Sequence, residues 1–201
     1  MLSFLCALLA SPPVIARATV WKIDPAKSTV SFVVFRGARV GARGTFKNVT
    51  GNIIFDPNSI AFAKVDASIP IDTIETGIGA RDADLIGPKY FNAGRFSTAV
   101  FTAQKLRVAN AANDGKYVVT GLFKLHGVSR AIDLLMTKPT IISSANGRTR
   151  LVAAAATTID QSDYGLNFDL LHPDGFVRIN NKIDIKINVE AGPGSGRSQH
   201  H

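Results

Sequence analysis

The stretch KIDIKINVE, residues 182–190, alternates without a slip. Ile183, Ile185, Ile187 and Val189 share one parity; Lys182, Asp184, Lys186, Asn188 and Glu190 share the other. Successive strand side chains point to opposite faces, so the segment predicts a strand with one apolar and one wet face. The same period of two recurs along most of the chain. Val30, Phe32 and Val34 form one row, Ile53 and Phe55 another, and Val65, Ala67, Ile69 and Ile71 a third. Ala99, Phe101 and Ala103 follow, then Tyr117, Val119, Phe123 and Leu125, then Ile132, Leu134 and Met136, and finally Ala153 to Ile159. This amounts to about eight or nine strands, each long for its class.

Turn chemistry separates the rows: DPNS after Phe55, the Asp-Gly pair of NDGK at 113–116, and His126-Gly127. One segment, ETGIGARDADLIGPKYF, breaks the period and predicts a short helix from Arg81 to Ile86, stopped by Gly87-Pro88. Consecutive hairpins with one apolar face each leave a sandwich or a closed antiparallel barrel. The polar outer parity excludes a lipid-facing barrel. Small inward residues (Ala99, Ala103, Gly121, Ala153, Ala155, Thr157) leave room inside a barrel of eight strands for a small ligand.

At 201 residues the chain allows one domain with a real core. Residues 1–16 are expected to be a secretory signal peptide, with Val14 and Ala16 at the small-residue positions of a cut after Ala16; a cut after Ala18 fits as well. The competing reading is a short buried apolar segment. About nine apolar residues before Pro12 are too few to span a bilayer. Cys6 is the only cysteine, and Leu5 before it does not suit lipid attachment. Export would leave a mature chain without thiols, hence without disulfides or thiolate chemistry. Residues 17–190 form the expected domain, and 191–201 a glycine-rich flexible tail outside it.

The net charge is +8, spread mostly as single residues on the wet parity. The exception is FRGARVGARGTFK, where Arg36, Arg39, Arg43 and Lys47 surround three glycines with no acid among them. It reads as a solvated hairpin loop or as an electropositive rim for a head group or membrane surface. Of four histidines, His126 and His172 stand apart and two end the chain, so no metal site is expected. No nucleophile elbow or phosphate-cradling loop occurs. Aromatics among the basic residues are too few to stack bases, so no nucleic-acid partner is expected. Trp21 is expected to plug a barrel end.

Several stretches resemble the YceI family of bacterial periplasmic lipid-binding proteins: WKIDPAKSTVSFVV, RGTFKNVTGNIIFDP, ARDADLIGPKYFN, FSTAVFTAQKL, YVVTGLFKLHGVSRAIDL, TTIDQSDYGL and VRINNKIDIKINVE. They cover nearly all of residues 20–190. Asp84 and Lys27 stand where that family commonly has His, and Ser97 where it has Pro. The loop from Thr137 to Thr149 is short and lacks aromatics. The resemblance implies an all-β fold, a closed antiparallel eight-stranded lipocalin-like barrel with one short helical segment, enclosing a tunnel for an isoprenoid or fatty acyl chain. It implies no catalytic residues and no cofactor.

The expected ligand-facing residues are Val30, Phe32, Val34, Phe46, Ile53 and Phe55 from the first half of the chain. Ile69, Phe101, Val119, Phe123, Leu134 and Ala155 continue the set, and Ile183, Ile185 and Ile187 close it. Arg36, Arg39 and Arg43 are the expected rim. The expected function is non-enzymatic carriage of an isoprenoid, isoprenoid quinone or fatty acyl lipid in the periplasm. Its competitors are an enzyme using the same cavity and a basic module for anionic membrane or polymer. A transient anionic-membrane contact and a homodimer are the further partners considered.

Overall fold

A computed structural model describes residues 19–55, 64–108, 116–168, 170–172, 175–177 and 179–194. The expected signal peptide, the DPNS turn and the Asp-Gly of NDGK lie outside these residues, as does the chain beyond 194.

The first two rows fold as interrupted strands. β1 (Thr19–Ile23) and β2 (Thr29–Arg36) both lie along β14 (Lys182–Pro193), with Ile23 opposite Ala191 and Thr29 opposite Asn188. Five residues therefore face two across this break. Ser28, 1% exposed, bridges it: its hydroxyl donates to the Glu190 carbonyl and accepts from the Glu190 N–H, each at 3.1 Å. β3 (Arg39–Phe46) pairs with β2, and β4 (Thr50–Phe55) with β1. β5 (Lys64–Pro70), β7 (Thr98–Val108), β8 (Tyr117–Leu125) and β9 (Val128–Met136) then follow as antiparallel neighbours. A two-residue β6 (Ile74–Glu75) pairs with the end of β3.

The ring closes through β11 (Thr149–Asp160). It runs along β14 from Leu151↔Ala191 to Asp160↔Lys182, and meets β9 at Ala155↔Met136 and Ala156↔Leu135. The order β1-β4-β5-β7-β8-β9-β11-β14 returns to β1, which makes a closed antiparallel barrel of 8 strands. Closure removes the unpaired edges that a sheet this size would otherwise expose. Register shifts at Val34/Phe35 and Ala103/Lys105 supply the local bends that curvature needs.

The one α-helix among the described residues, α1 (Gly79–Ile86), starts two residues earlier than its sequence pattern predicts and stops at Gly87 as expected. The His126-Gly127 corner forms with both residues at positive φ, 50° and 81°. Two expectations change. The domain boundary after Glu190 falls short, because β14 continues through Gly192 to Pro193. Ala191 is fully buried there, and Gly192 and Pro193 pair with Lys22 and Trp21. The loop from Thr137 to Thr149 also holds a strand, β10 (Thr140–Ser143), which forms an exposed hairpin with β11. A small hairpin of β12 (Leu170–His172) and β13 (Gly175–Val177) completes the described fold.

Candidate functional site

The inward rows enclose two chambers. The first lies at the α1 end, with about 880 Å³ of atom-free space including its mouth. Val30, Phe32 and Val34 of β2, Ala42 and Phe46 of β3, and Ile183 and Ile185 of β14 form one side. Ile69, Ala99, Phe123, Leu125 and Ile159 form the other. Leu85 of α1 with Phe91, Leu166, Phe168 and Ile179 closes it as a cap. The second chamber, about 860 Å³ on the same basis, is lined by Ile53, Phe101, Val119 and Leu134, by Ala153, Ala155 and Thr157 of β11, and by Ile187 and Val189.

Val30, Ile69, Phe123 and Ile185 border both chambers. These four residues form the wall that the two chambers share. Protein interiors hold few voids larger than a water molecule, so this space is not ordinary packing. Its origin is legible in β11, where alanines stand across the barrel from larger residues.

Two rings thin the wall further. Phe32 lies so closely over Gly44 that a Cβ there would collide with its ring, and with the Glu75 carbonyl as well. Phe101 covers Gly121 in the same way, at 2.5 Å. Each glycine lets an aromatic side chain lie against the sheet instead of across the lumen. At the cap, a chain of rings runs from Phe32 to Phe46 (5.6 Å between centroids), Phe91 (6.0 Å) and Phe168 (5.0 Å), with Tyr90 stacked on Phe168 at 5.7 Å.

Polar groups reach the lumen chiefly at the cap. Arg81 Nε donates to Thr76 Oγ1 at 2.8 Å, and Nη2 donates to the Thr76 carbonyl at 2.9 Å. Asp82 Oδ1 accepts from the Thr76 N–H at 2.9 Å and from its hydroxyl. Arg81 and Asp82 thus tie the helix start to the segment after β6 through a shared threonine. Gln161, 1% exposed, opens a 3₁₀ turn over Gln161–Tyr164 and accepts the Phe168 N–H at 3.2 Å. Asp160 caps that turn: the hydroxyl and N–H of Ser162 both donate to it and hold its carboxyl below the usual range. Burial pushes the Tyr164 hydroxyl up, and the neighbouring Asp163 charge adds to this. In the second chamber Thr157 donates to the Asp133 carbonyl at 2.9 Å.

Of the residues expected to face a ligand, Val30, Phe32, Val34, Phe46, Ile69, Phe123, Ile183 and Ile185 border the first chamber. Ile53, Phe101, Val119, Leu134, Ala155 and Ile187 border the second. The side chain of Phe55 lies outside the described residues. The three rim arginines are all exposed on the β2–β3 hairpin, with Arg36 opposite Arg39 at the tip and Arg43 farther down, opposite Val33. Asn180 clasps this turn through Gly37, accepting its N–H at 3.0 Å and donating to its carbonyl at 2.9 Å. Among the described residues none of the three arginines has a carboxylate partner, whereas Lys47 meets Glu75 at 2.7 Å. Lys27, where the resembled family commonly has His, pairs with Glu190 at 2.8 Å, and Asp84 is exposed.

Sequence periodicity misses the cap residues Phe91, Gln161, Leu166, Phe168 and Ile179. They lie in turns and irregular chain, where no period marks an inward position. The TTIDQSDYGL stretch is the one signal that could have drawn attention to Gln161.

Residues 21–191 match the YceI-like domain. A UPF0312 protein of Pseudomonas fluorescens is 26% identical over 197 residues, covering 92% of this chain and 95% of its own. A UPF0312 protein of Vibrio vulnificus is 30% identical over 130 residues, covering 64% of this chain and 67% of its own. Among solved structures, Burkholderia cenocepacia BcnA superposes with a TM-score of 0.68 at 21% identity, covering 84% of this chain and 99% of its own. A polyisoprenoid binding domain from Saccharophagus degradans, implicated in plant cell wall breakdown, superposes at 0.66 and 18% identity, covering 89% and 100%.

Proposed function

This chain belongs to the YceI-like family, and from that membership and its lumen we propose that it binds one long apolar chain, an isoprenoid, isoprenoid quinone or fatty acyl group, and carries it without transforming it. The observation that carries the reading is the apolar interior: two chambers with wholly apolar surfaces lie side by side in the barrel and share Val30, Ile69, Phe123 and Ile185. A solved neighbour of the same fold is described as a polyisoprenoid binding domain, which agrees with such a ligand.

Each CH₂ moved out of water contributes about 0.8 kcal/mol, so a chain of about fifteen carbons gains roughly 12 kcal/mol gross. A bilayer offers nearly the same transfer. The net preference of such a molecule for protein over membrane is therefore small, which suits pick-up and release. Catalysis by acid and base needs a group that exchanges a proton near neutral pH. Among the described residues the chambers are bordered by one charged side chain, Arg81, and by no carboxylate, histidine or lysine to share acid–base work with it. That favours carriage over the enzymatic alternative.

We place the carrier in the periplasm, its first sixteen or so residues serving as an export signal. Intact mass of protein from a periplasmic extract tests this, and a chain retaining Met1–Ala16 would count against it. Arg36, Arg39 and Arg43, which have no carboxylate partner among the described residues, support a second element of the reading, approach to anionic bilayers. Each is worth about 1 kcal/mol near such a surface and loses it with salt.

The direct test of binding is mass spectrometry of solvent extracts from purified protein. One class of long apolar molecule, near one per chain, is the expected result. An empty extract from protein that also refuses every apolar probe would overturn the reading.

A further inference from the structure

Leu166 and Ile179 line the α1-end chamber, and the same two residues line a cleft on the surface. The cleft holds about 1220 Å³ of atom-free space including open solvent, and Asn167, Asn180, Asn181 and Lys182 are among its polar lining. Its one acid, Asp160, is held by Ser162. Leu166 and Ile179 are 4% and 5% exposed, so they form a buried wall that the chamber and the cleft share. At the far end of β14, the cleft over Asp24, Arg148 and Glu190 shares no lining residue with either chamber.

The backbone behind that shared wall differs from the barrel's. Ile183 and Ile185 line the same chamber from β14, a strand bonded to β11 on one side and β2 on the other. Parting the barrel there breaks a row of ladder hydrogen bonds and strands their donors and acceptors. Leu166 and Ile179 stand in no strand. Between them in the chain, β12 and β13 pair with each other in a sheet of their own. The Leu166 N–H donates at 3.1 Å to the Gln161 carbonyl of its own turn, so moving the two side chains apart breaks no strand pairing. Regions with few such bonds open at the lowest cost.

The cleft is also tied to the basic hairpin. Asn180, next to Ile179, donates its N–H to the Phe35 carbonyl at 2.8 Å and clasps Gly37 through its side chain. Those bonds set the cleft beside the turn that carries Arg36 and Arg39.

We propose that the wall of Leu166 and Ile179 is the portal through which the apolar ligand enters and leaves the barrel, and that the Asn180 clasp presents this portal to an anionic bilayer held by Arg36 and Arg39. This route rests on lumen binding and bilayer approach as proposed above. A chain leaving the bilayer there passes two apolar side chains and crosses no ladder.

The test is stopped-flow loading of delipidated Cys6→Ser protein with cis-parinaric acid, a fluorescent fatty acid without a bulky label. It is delivered from phosphatidylcholine vesicles whose nitroxide lipid darkens the probe until it leaves. Asn167→Cys and Lys182→Cys place one thiol on either side of the cleft, and Arg148→Cys places one in the cleft at the far end; all three sites are exposed. A polyethylene glycol maleimide at either of the first two should slow loading and release together by about tenfold, a barrier raised by ~1.4 kcal/mol. The amount bound at equilibrium should stay as in unlabelled protein, because an obstructed route changes rates and not end states. The same polymer at Arg148→Cys should change neither rate. Phosphatidylglycerol in the vesicles should speed loading of the unlabelled protein, and Arg36→Ser with Arg39→Ser should remove that gain, which salt also removes.

Slowing by the label at Arg148→Cys, or by neither cleft label, would overturn the portal while leaving lumen binding intact. Loading that ignores phosphatidylglycerol, or keeps its gain in the double arginine variant, would overturn the bilayer side of the proposal. A wild-type protein that never takes up the probe, from vesicles or from cyclodextrin, would overturn lumen binding itself, and the portal with it.

Discussion

The two chambers are built from the same strands yet differ in kind. The α1-end chamber is crowded with rings, capped by irregular chain and edged by Arg81 and Gln161. The other is a plain slot whose width comes from Ala153 and Ala155 and whose polar neighbour is already satisfied. Each uses a phenylalanine laid over a glycine to thin its wall, Phe32 on Gly44 and Phe101 on Gly121. Volume is thus made the same way twice, while chemistry is confined to one end. The capped end differs from the slot in its rings and its irregular chain.

The sharpest way to break this comparison is to fill the plain chamber. Ala155→Trp should exclude about eight carbons of a long ligand, several kcal/mol at ~0.8 per CH₂, and so weaken it at least a hundredfold. A short acyl chain confined to the α1 end should bind as before, and probe titrations of both lengths measure it. Equal loss of both, or of neither, would show that the chambers do not act separately.

Smaller effects should follow from the two glycines. Gly121→Ala pushes Phe101 into the second chamber and Gly44→Ala pushes Phe32 into the first, each an overpacking change worth about 1–3 kcal/mol of stability. Thermal melts should show Phe101→Leu relieving part of the Gly121→Ala loss, the rest staying because the added Cβ also lies 2.6 Å from the Thr102 carbonyl, and relieving none of the Gly44→Ala loss, since only contacting pairs couple strongly.

The cap should also respond to pH where the slot does not. Ser162 holds the Asp160 carboxyl below its ordinary range, so the ionised form favours the folded turn. That contribution is present above the unfolded carboxylate range and fades as pH falls through the lowered folded value. Asp160→Ala should therefore melt lower than wild type at neutral pH, with the gap closing in acid; a gap independent of pH would remove the carboxylate from the account. The smallest effect belongs to the outer face. Lys186→Ala, between two lumen isoleucines in sequence but exposed, should stay within ~0.5 kcal/mol and bind normally.

The same division explains what sequence could and could not supply. Wherever the period of two held, as in Ile183, Ile185 and Ile187, parity alone put side chains on the lumen face, because a strand has no third direction. Gln161 and Phe168 have no such period behind them. Their inward placement depends on a 3₁₀ turn, its Asp160 cap and the Gln161 N–H donated to the Asn181 carbonyl at 2.9 Å, and those are tertiary facts. Gly192-Pro193 read as the punctuation of a tail, yet pairing with β1 overrides that reading and extends the last strand. Arg36 and Arg39 were legible as a basic cluster; that Asn180 fixes their turn was not.

The claim that an apolar chain occupies the barrel interior as far as the second chamber can be read from a single residue. Trp21, the only tryptophan, is 4% exposed on β1, opposite Ile53 of the second chamber and Pro193. From Ile183 to Pro193 is roughly 33 Å of strand, so its indole reports on the end away from Gln161. Stearates carrying a nitroxide near the carboxylate, at mid-chain or near the terminal methyl should quench its fluorescence, with at least one position quenching strongly. No quenching from any position would contradict the account.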